Sequence, residues 1–323
     1  MKVIVRERYG GADVLALKDV DRPEPRKGEV LVKVRAASIN AADRFLLKGR
    51  PLMLRFAGFG LIRPKIRILG ADIAGTVESV GDEVSEFRPG DEVYGDLSGH
   101  GFGGFAEYAC AGTLGFARKP AGITFEQAAA VPMAATTALQ SLRHGGTGLT
   151  GKEVLINGAG GGVGSFAVQI AKAMGFRVTG VCSTRNLDLV RSLGADQVID
   201  YSVQDFTANG HRYDLIIDAA AHRPLRHSIK ALNQGGRYLV VGGDLTPLFQ
   251  AMLLGPLLSS LRGVRVSAIL AKSNVKDLDF LKDWLESRRV VPPIDRRYTL
   301  DQVPQAFREM EQAHARGKSV ITI

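Results

Sequence analysis

Cysteine is nearly absent from this chain of 323 residues, which contains only two, Cys110 and Cys182. Two cysteines without a spacing pattern exclude a disulfide-stabilised scaffold, so we predict a reducing compartment, the cytoplasm. The sequence also lacks an uninterrupted run of about 18 apolar residues, the length that a membrane-spanning helix needs. The first residues, MKVIVRERYGG, are typical of a strand rather than of a signal peptide. Internal repeats and low-complexity segments are missing as well.

Glycine, by contrast, is abundant, with 38 residues, and the segment Gly158–Gly164 has the sequence GAGGGVG. The short apolar run Val154–Ile156 before it predicts a buried parallel strand, and apolar residues at helical spacing after it predict a helix that Gly175 ends. A strand, a glycine turn and a helix in this order can bind a pyrophosphate against the helix N-terminus. A tight turn without a ligand is the alternative. The predicted cofactor-binding residues of this turn are Gly158, Ala159, Gly161, Gly162, Val163 and Gly164.

An acidic residue is missing at the end of the second predicted strand, Val178–Cys182. Chains that bind NAD usually place Asp or Glu there, where the carboxylate accepts hydrogen bonds from the adenosine ribose. Here the residues that follow include Ser183 and Arg185. A guanidinium suits a 2′-phosphate, whereas a carboxylate would repel it. We therefore predict NADPH rather than NADH as the cofactor, with a solvated surface charge as the alternative interpretation of Arg185.

The same stretch carries a resemblance to a known family. GAGGGVGSFAVQIAKAMG, followed by CSTRN and GADQVIDY, resembles the quinone oxidoreductase branch of the medium-chain dehydrogenase/reductase superfamily. The resemblance covers essentially the whole chain. Further matching segments are ASINAAD at 37–43, LGADIAGTVESVG at 69–81, GDEVYG at 90–95, GGFAEY at 103–108, ITFEQAAAVPMAATTALQSL at 123–142 and the closing segment from IDRRYTL onward.

The resemblance implies an α/β fold with two domains. A GroES-like, β-rich catalytic domain is expected over 1–120, and a Rossmann doubly wound parallel sheet that binds NADP(H) over 121–262. Residues 263–323 are expected to return to the catalytic domain. The residue pattern supports this division in part, since short β-like runs separated by Pro and Gly fill the first third, and strands alternate with helices in the middle third. In relatives the strand corresponding to Val264–Leu270 pairs with its copy, which implies a homodimer.

Zinc ligands are missing at the positions where zinc-using members of the superfamily hold them. Those relatives have Cys where this chain has Asn40, a His-Glu pair where it has Ala71-Asp72, and Cys or an acid near Met133. Asn, Ala and Met are not zinc ligands, so we expect no metal. Without a Lewis acid, alcohol oxidation is harder than hydride delivery to an electron-poor acceptor. We therefore expect an NADPH-dependent reductase of quinones or α,β-unsaturated carbonyls, small lipophilic electrophiles.

The resemblance also indicates the residues of the substrate cleft between the two domains. Asn40 and Asp43 lie where the family lines the nicotinamide end of this cleft. Asn40 would donate a hydrogen bond to a substrate carbonyl and polarise it weakly. The alternatives are a turn-stabilising asparagine and, for Asp43, a helix cap near Ala41. We assign no general acid from the sequence.

We predict cofactor contacts at five further residues, of which Thr137 and Tyr201 match cofactor contacts of the family. Each also has an ordinary structural interpretation: a helix threonine, an exposed loop tyrosine, a strand-end turn for the two glycines, and a surface charge for the lysine. These residues are Thr137, which we expect at a helix start, Tyr201, Gly242, Gly243 and Lys318.

The net charge of +9 and the isoelectric point near 9.6 raise the question of nucleic-acid binding. Part of the excess is local, because residues 48–67 hold six basic residues and no acid. Apolar residues are interspersed through 45–67, and we favour a basic surface loop with a buried underside. The alternative is a mobile flap that presents an apolar wall to substrates or contacts a membrane surface weakly. We expect no specific nucleic-acid partner. The rival function is an NADPH-binding scaffold with little turnover that uses this surface for RNA or membrane association.

Overall fold

The chain forms two compact units in the computed structural model, which describes residues 1–146, 151–243, 245–312 and 316–323. Unit 1 consists of residues 1–133, 273–288 and 292–323, and unit 2 consists of residues 134–272 and 289–291. The first unit therefore extends beyond the expected boundary at residue 120. Residues 263–272 belong to unit 2 and not to the returning segment.

Unit 1 is built mainly from strands. Strands β1 and β2 form a two-stranded sheet, and seven further strands form a larger sheet. Six strands of the larger sheet follow the order β14-β15-β3-β4-β5-β7, and the seventh, β6, pairs with β3. All neighbours in the larger sheet are antiparallel except β14 and β15, which run parallel. The strands are β1 (Lys2–Val5), β2 (Ala16–Asp19), β3 (Glu29–Ser38), β4 (Asp72–Val80), β5 (Glu92–Asp96), β6 (Tyr108–Gly112), β7 (Phe116–Arg118), β14 (Ile294–Thr299) and β15 (Lys318–Thr322).

Helices pack on the sheet of unit 1, and one of them explains why this unit extends beyond residue 120. One of them, α3 (Phe125–Ala129), begins at a Thr124 capping box and packs on β3 and β4. Burial of its Ala128 and Ala129 against the sheet adds the segment after residue 120 to unit 1. The other helices assigned to this unit are α1 (Ala41–Lys48), α2 (Leu52–Leu54), α9 (Val275–Glu286) and α10 (Val303–Gln312).

Unit 2 contains a six-stranded sheet in which all strands are parallel, with the order β10-β9-β8-β11-β12-β13. Numbered within the unit, this order is 3-2-1-4-5-6, which confirms the predicted doubly wound fold. The last strand pairs with β12, and this pairing keeps residues 263–272 in unit 2. The strands are β8 (Glu153–Asn157), β9 (Arg177–Cys182), β10 (Gln197–Asp200), β11 (Tyr213–Asp218), β12 (Leu232–Val240) and β13 (Arg265–Ala268).

The helix that the apolar spacing predicts after β8 is present as α5 (Gly162–Ala173), which buries an apolar face on the sheet. Gly175, with φ +86°, follows its C-cap Met174, a position that glycine commonly occupies after a helix. No helix among the described residues is long and apolar enough to cross a membrane. The remaining helices are α4 (Pro132–His144), whose first two residues belong to unit 1, α6 (Leu187–Ser192), α7 (Leu225–Ser228) and α8 (Leu245–Arg262).

Candidate functional sites

Register at one end of the unit 1 sheet brings polar residues together. Ser38 pairs with Asp72 across β3 and β4, and Asp72 pairs with Asp96 across β4 and β5. Strand β15 runs antiparallel to β3, and Val320 pairs with Ser38, the last residue of β3. Continued by two residues, this register places Lys318 opposite Asn40, the N-cap of α1.

Asp43 caps α1, as the structural interpretation of this residue predicts. Its Oδ2 accepts a hydrogen bond from the backbone N–H of Asn40 at 2.9 Å, and its Oδ1 accepts one from the N–H of Gly70 at 3.1 Å. The side chain is fully buried, and burial raises the pKa of Asp43 to about 6, although the two hydrogen bonds act to lower this pKa. Asp43 thus fixes the turn that presents Asn40, and its predicted role in the substrate cleft stays a prediction.

Asn40 is held by two charged side chains. Its Nδ2 donates to Asp72 Oδ2 at 3.0 Å, and its Oδ1 accepts from Lys318 Nζ at 2.5 Å. Lys318 Nζ lies 3.6 Å from Asp72 Oδ2 and 3.3 Å from the carbonyl oxygen of Ile39. The alternative that Lys318 is a surface charge is therefore wrong, because the register of β15 on β3 buries this side chain beside Asp72. Whether Lys318 contacts the cofactor stays a prediction.

Asp72 is the most highly bonded group of this cluster. Besides Asn40, it accepts hydrogen bonds from Ser38 Oγ at 3.1 Å and from the backbone N–H of Met133 at 3.0 Å. Burial raises the pKa of Asp72 and lowers the pKa of Lys318, while the attraction between the two groups opposes both changes. The sequence reasoning weighed Asp72 only as a zinc ligand and missed its partnership with Lys318.

The same residues do not fit a zinc ion. Asn40, Ala71 and Met133 supply no zinc ligand, and the oxygens of Asn40 and Asp72 face the Lys318 ammonium, which would repel a metal cation. Within the described ranges, no three His, Cys, Asp or Glu side chains are grouped so as to hold a metal ion. Hydrogen bonds and charge at this site therefore come from its own side chains and not from a zinc ion.

The glycine turn of unit 2 lies between β8 and α5, as predicted. Gly158 has φ +81°, a conformation that glycine adopts without strain. A Cβ atom on Gly164 would lie 2.1 Å from the carbonyl oxygen of Gly158, so only glycine lets the helix approach the strand this closely. Ala159 is fully buried under the turn, while Gly161, Gly162 and Val163 are partly exposed at the helix N-terminus. This arrangement leaves the first backbone N–H groups of α5 available to an anion.

A buried carboxylate connects this turn to the neighbouring loop, and the sequence reasoning missed it. Asp218, the last residue of β11, accepts hydrogen bonds from Asn157 Nδ2 at 2.8 Å and from Tyr238 Oη at 2.5 Å. It also accepts from the backbone N–H of Ala221 at 2.6 Å. Asp218 therefore links the ends of β8, β11 and β12, where ligands of this fold bind. The signal available in the sequence was an acid that ends the apolar run LIID.

The end of β9 has the polar character expected for a 2′-phosphate site. Ser183 Oγ is buried and has no hydrogen-bond partner among the described residues. Arg185 is exposed, and the structure gives its guanidinium no ion pair within the described part of the chain. Thr184 Oγ1 donates to Asp200 Oδ2 at 2.5 Å, so its proton is already committed. Ser183 and Arg185 are thus the donors available to an anion at this position.

The remaining predicted cofactor residues are distributed along unit 2. Tyr201 is 45% exposed and its N–H donates to the carbonyl oxygen of Cys182, which places it beside the end of β9. Thr137 is buried inside α4 and not at its start, because the helix already begins at Pro132. Gly242 and Gly243 pass close to the loop after β11, since a Cβ on Gly243 would lie 1.9 Å from the carbonyl oxygen of Ala220. This close approach is what the strand-end turn requires.

Residues 45–67 have an anchored underside and an apolar outer side. The Tyr9 hydroxyl lies 2.9 Å and 2.6 Å from the carbonyl oxygens of Phe59 and Gly60, and the Arg55 guanidinium stacks on the Tyr9 ring. Phe59 also packs against the core of unit 1. The outer side exposes large apolar residues, with Phe56 76% and Ile62 83% exposed. The other exposed apolar residues are Leu52, Met53 and Leu61.

A parallel sheet with the strand order of unit 2 and a glycine turn after its first strand defines a dinucleotide-binding fold. Comparisons with known proteins agree. The model of the alcohol dehydrogenase GroES-like domain matches residues 26–121, and the model described as zinc-binding dehydrogenase matches residues 193–321. The word zinc in the second description does not extend to the Asn40 site, because residues 40, 72 and 133 lie outside the matched range and their donor set does not fit a zinc ion.

Relatives that match 99% of this chain identify the family within the class of dinucleotide-binding proteins. The chain is 33% identical to the chloroplastic quinone-oxidoreductase QR1 of Triphysaria versicolor, over 99% of this chain and 98% of the relative. It is also 33% identical to the chloroplastic NADPH-dependent alkenal/one oxidoreductase of Arabidopsis thaliana, over 99% and 79%. The structure of the quinone oxidoreductase from Coxiella burnetii has a TM-score of 0.88 and 31% identity, covering 100% of this chain and 99% of the other. The chain belongs to the quinone oxidoreductase family of the medium-chain dehydrogenase/reductase superfamily.

Proposed function

We propose that this chain is an NADPH-dependent, zinc-independent oxidoreductase that reduces quinones or α,β-unsaturated carbonyls. The observation that carries the proposal is the end of β9, where the unpartnered Ser183 hydroxyl and the exposed Arg185 suit a 2′-phosphate. The glycine turn before α5 suits the pyrophosphate of the same cofactor. When bound, NADPH supplies the hydride.

The protein's own contribution is to bind and orient. In this proposal the residues of the glycine turn hold the cofactor phosphates, and Asn40 contacts the substrate carbonyl. One Nδ2 hydrogen of Asn40 is bonded to Asp72, and the structure gives the second no acceptor among the described residues. That second N–H can stabilise the negative charge that develops on the carbonyl oxygen as the hydride arrives. The proton donor stays unassigned.

The acceptor class follows from the chemistry of the Asn40 site and from the relatives. A single amide donor stabilises an oxyanion less than a metal ion does, so an acceptor that is already electron-poor is favoured. The relatives are named as reductases of quinones and of alkenals or enones. These names disfavour the rival proposal of a scaffold without turnover.

Steady-state turnover tests this proposal. Purified protein is incubated with NADPH and a panel of quinones, enones, saturated ketones and alcohols, and the nicotinamide absorbance is followed. We expect consumption of NADPH with quinones or enones, little with saturated ketones, and no change after treatment with a zinc chelator. Loss of activity on chelation, or a preference for saturated ketones, would contradict the zinc-independent assignment.

We also propose that the protein is a homodimer, with β13 at the interface. β13 is the edge strand of the unit 2 sheet, and its outer side pairs with no strand in the described part of the chain. The N–H of Ile269 donates to Val240 of β12, whereas that of Val266 points to the outer side, where it donates to Ser259 Oγ of α8. By alternation the N–H of Ala268 also points to the outer side.

The substitution Ala268→Pro removes this outward N–H without removing a hydrogen bond to β12. We expect the variant to be monomeric by light scattering, because edge pairing needs that N–H. The control variant Ala268→Val keeps the N–H and should remain dimeric. A monomeric mass of the unsubstituted protein at micromolar concentration would contradict the proposed dimer.

Residues 45–67 support a further proposal, a weak contact with an anionic membrane surface. Such surfaces attract segments that combine exposed apolar side chains with basic residues. In this segment Lys48 pairs with Glu311 and Arg67 with Glu7, while the structure gives Arg50, Arg63 and Lys65 no ion pair among the described residues. We expect Phe56→Ser with Ile62→Ser to reduce co-sedimentation with anionic vesicles at least roughly tenfold, since each buried side chain contributes about 1.5–3 kcal/mol. Leu114→Ser is the control, because Leu114 is 75% exposed elsewhere in unit 1. Failure of the unsubstituted protein to bind such vesicles would remove this proposal.

We also propose that the protein is located in the cytoplasm. The free thiols of Cys110 and Cys182 support this location, because a reducing compartment keeps thiols free. Fractionation of the source cells, with the chain detected by an antibody, tests it. Recovery of the chain from an organelle fraction would contradict it.

A further inference from the structure

A lysine that is almost completely buried is costly unless it has partners, and besides the Ile39 carbonyl oxygen at 3.3 Å Lys318 has two side-chain partners of different kinds. Its side chain is 3% exposed, and it contacts both the neutral Asn40 amide and the Asp72 carboxylate. A salt bridge alone would need only the carboxylate. The shorter of the two contacts is nevertheless the one to Asn40 Oδ1, at 2.5 Å, against 3.6 Å to Asp72 Oδ2. The ammonium is therefore directed at the amide.

These two contacts determine the orientation of the Asn40 amide. Lys318 is a donor only, so it accepts no hydrogen bond from Nδ2, and the carboxylate of Asp72 is an acceptor in its charged form. In the observed orientation, Oδ1 faces Lys318 and Nδ2 faces Asp72. A flipped amide would place Nδ2 against the Lys318 ammonium, which is also a donor, and Oδ1 against the Asp72 carboxylate, which is also an acceptor. One Nδ2 hydrogen is then committed to Asp72, and the direction of the second is fixed by the planarity of the amide.

We propose that Lys318 and Asp72 are positioning residues that orient and polarise the Asn40 amide for hydride transfer to the substrate carbonyl. The inference rests on the proposed function and specifies how its Asn40 site works. The ammonium draws electron density toward Oδ1, and this makes the Nδ2 hydrogens more positive. The free N–H becomes a stronger donor to the oxygen that gains charge, so the charge on Lys318 assists the reaction without touching the substrate.

The substitution Lys318→Met tests the inference because it removes the charge and keeps a side chain of similar bulk. We expect kcat with a quinone or enone to fall about tenfold to hundredfold, which is less than the roughly 100- to 1000-fold loss on removal of an oxyanion donor itself, because the Asn40 amide is still present. KM for NADPH should change less than about twofold, because Asn40 acts on the reacting carbonyl and not on cofactor binding.

Lys119 provides a matched control. Its side chain is 7% exposed, it belongs to unit 1, and its Nζ lies 3.0 Å from Glu92 Oε2. Lys119→Met therefore also removes a nearly buried, paired ammonium, but one without contact to Asn40. We expect this variant to lose stability and to keep the kcat of the unsubstituted protein.

A double-mutant cycle separates the inference from a purely structural role. Asn40→Ala removes the amide on which Lys318 acts, so Asn40→Ala with Lys318→Met should be no slower than Asn40→Ala alone. If the two losses multiply, Lys318 acts by another route and the inference is wrong. If Lys318→Met does not fold, the charge-balanced pair Asp72→Asn with Lys318→Met replaces it, and an unchanged kcat of that folded variant would equally overturn the inference.

Different results contradict the inference and the proposed function. A protein that turns over quinones or enones, but whose Lys318→Met variant keeps full kcat, contradicts the inference and leaves the proposed function intact. Absence of turnover in both the unsubstituted protein and the Lys119→Met variant contradicts the proposed function, and the inference with it.

Discussion

Gly164→Ala is expected to lower kcat/KM for NADPH by about two orders of magnitude. The new Cβ would lie 2.1 Å from the carbonyl oxygen of Gly158 and 2.8 Å from Cα of Ala159, so the backbone of the turn has to move. A displacement of roughly 1 Å at a positioning element can cost about 100-fold in rate. The same overpacking should destabilise the protein by about 1–3 kcal/mol. Steady-state kinetics and denaturant unfolding measure the two effects.

The control for this substitution is Gly99→Ala. Gly99 has open space around the position of a Cβ atom and no positive φ, so alanine fits there. We expect this variant to bind NADPH and to unfold like the unsubstituted protein. Near-normal kcat/KM for NADPH in Gly164→Ala would show that the turn does not hold the cofactor.

Arg185→Ala is expected to raise the Kd for NADPH roughly 10- to 100-fold and to leave the Kd for NADH unchanged. A hydrogen bond to a charged group contributes about 1.5–3 kcal/mol, and each 1.4 kcal/mol or so changes affinity tenfold. Only NADPH carries the 2′-phosphate, so the loss should be specific to it. Binding can be followed by the fluorescence of the reduced nicotinamide.

Arg177→Ala is the matched control for Arg185→Ala. Arg177 lies at the opposite end of the same strand, where it pairs with Glu153, and its substitution removes the same formal charge. We expect it to leave both dissociation constants unchanged. If NADH binds the unsubstituted protein as tightly as NADPH does, the assignment of Ser183 and Arg185 to a 2′-phosphate site is wrong.

The parts of the molecule that the sequence predicted well are those in which neighbours along the chain determine the structure. β8, the glycine turn and α5 are consecutive, and their order alone identifies the dinucleotide-binding unit. The same holds for the missing acid after β9. The commitment of Thr184 to Asp200 was not predictable in this way, because it depends on the pairing of β9 with β10.

The Asn40 site shows the limit of such reasoning. Lys318 and Asn40 are 278 residues apart, and only the register of β15 on β3 brings them into contact. From sequence alone, a lysine near the end of the chain is more often a surface charge, because buried lysines are rare. Asp218 was missed for a related reason, since its role depends on three strands that meet at one edge of the sheet.

Transfer of a label from NADPH to the product distinguishes hydride transfer by this protein from every other route of NADPH oxidation. The protein is incubated with an enone and NADPH that carries deuterium on the transferring face of nicotinamide C4, and the product is examined by mass spectrometry and NMR. We predict one deuterium in each product molecule, at the carbon β to the carbonyl, with the intact protein and not with buffer alone. Oxidation of NADPH without deuterium in the product, or no consumption of enone and quinone at all, would contradict the account.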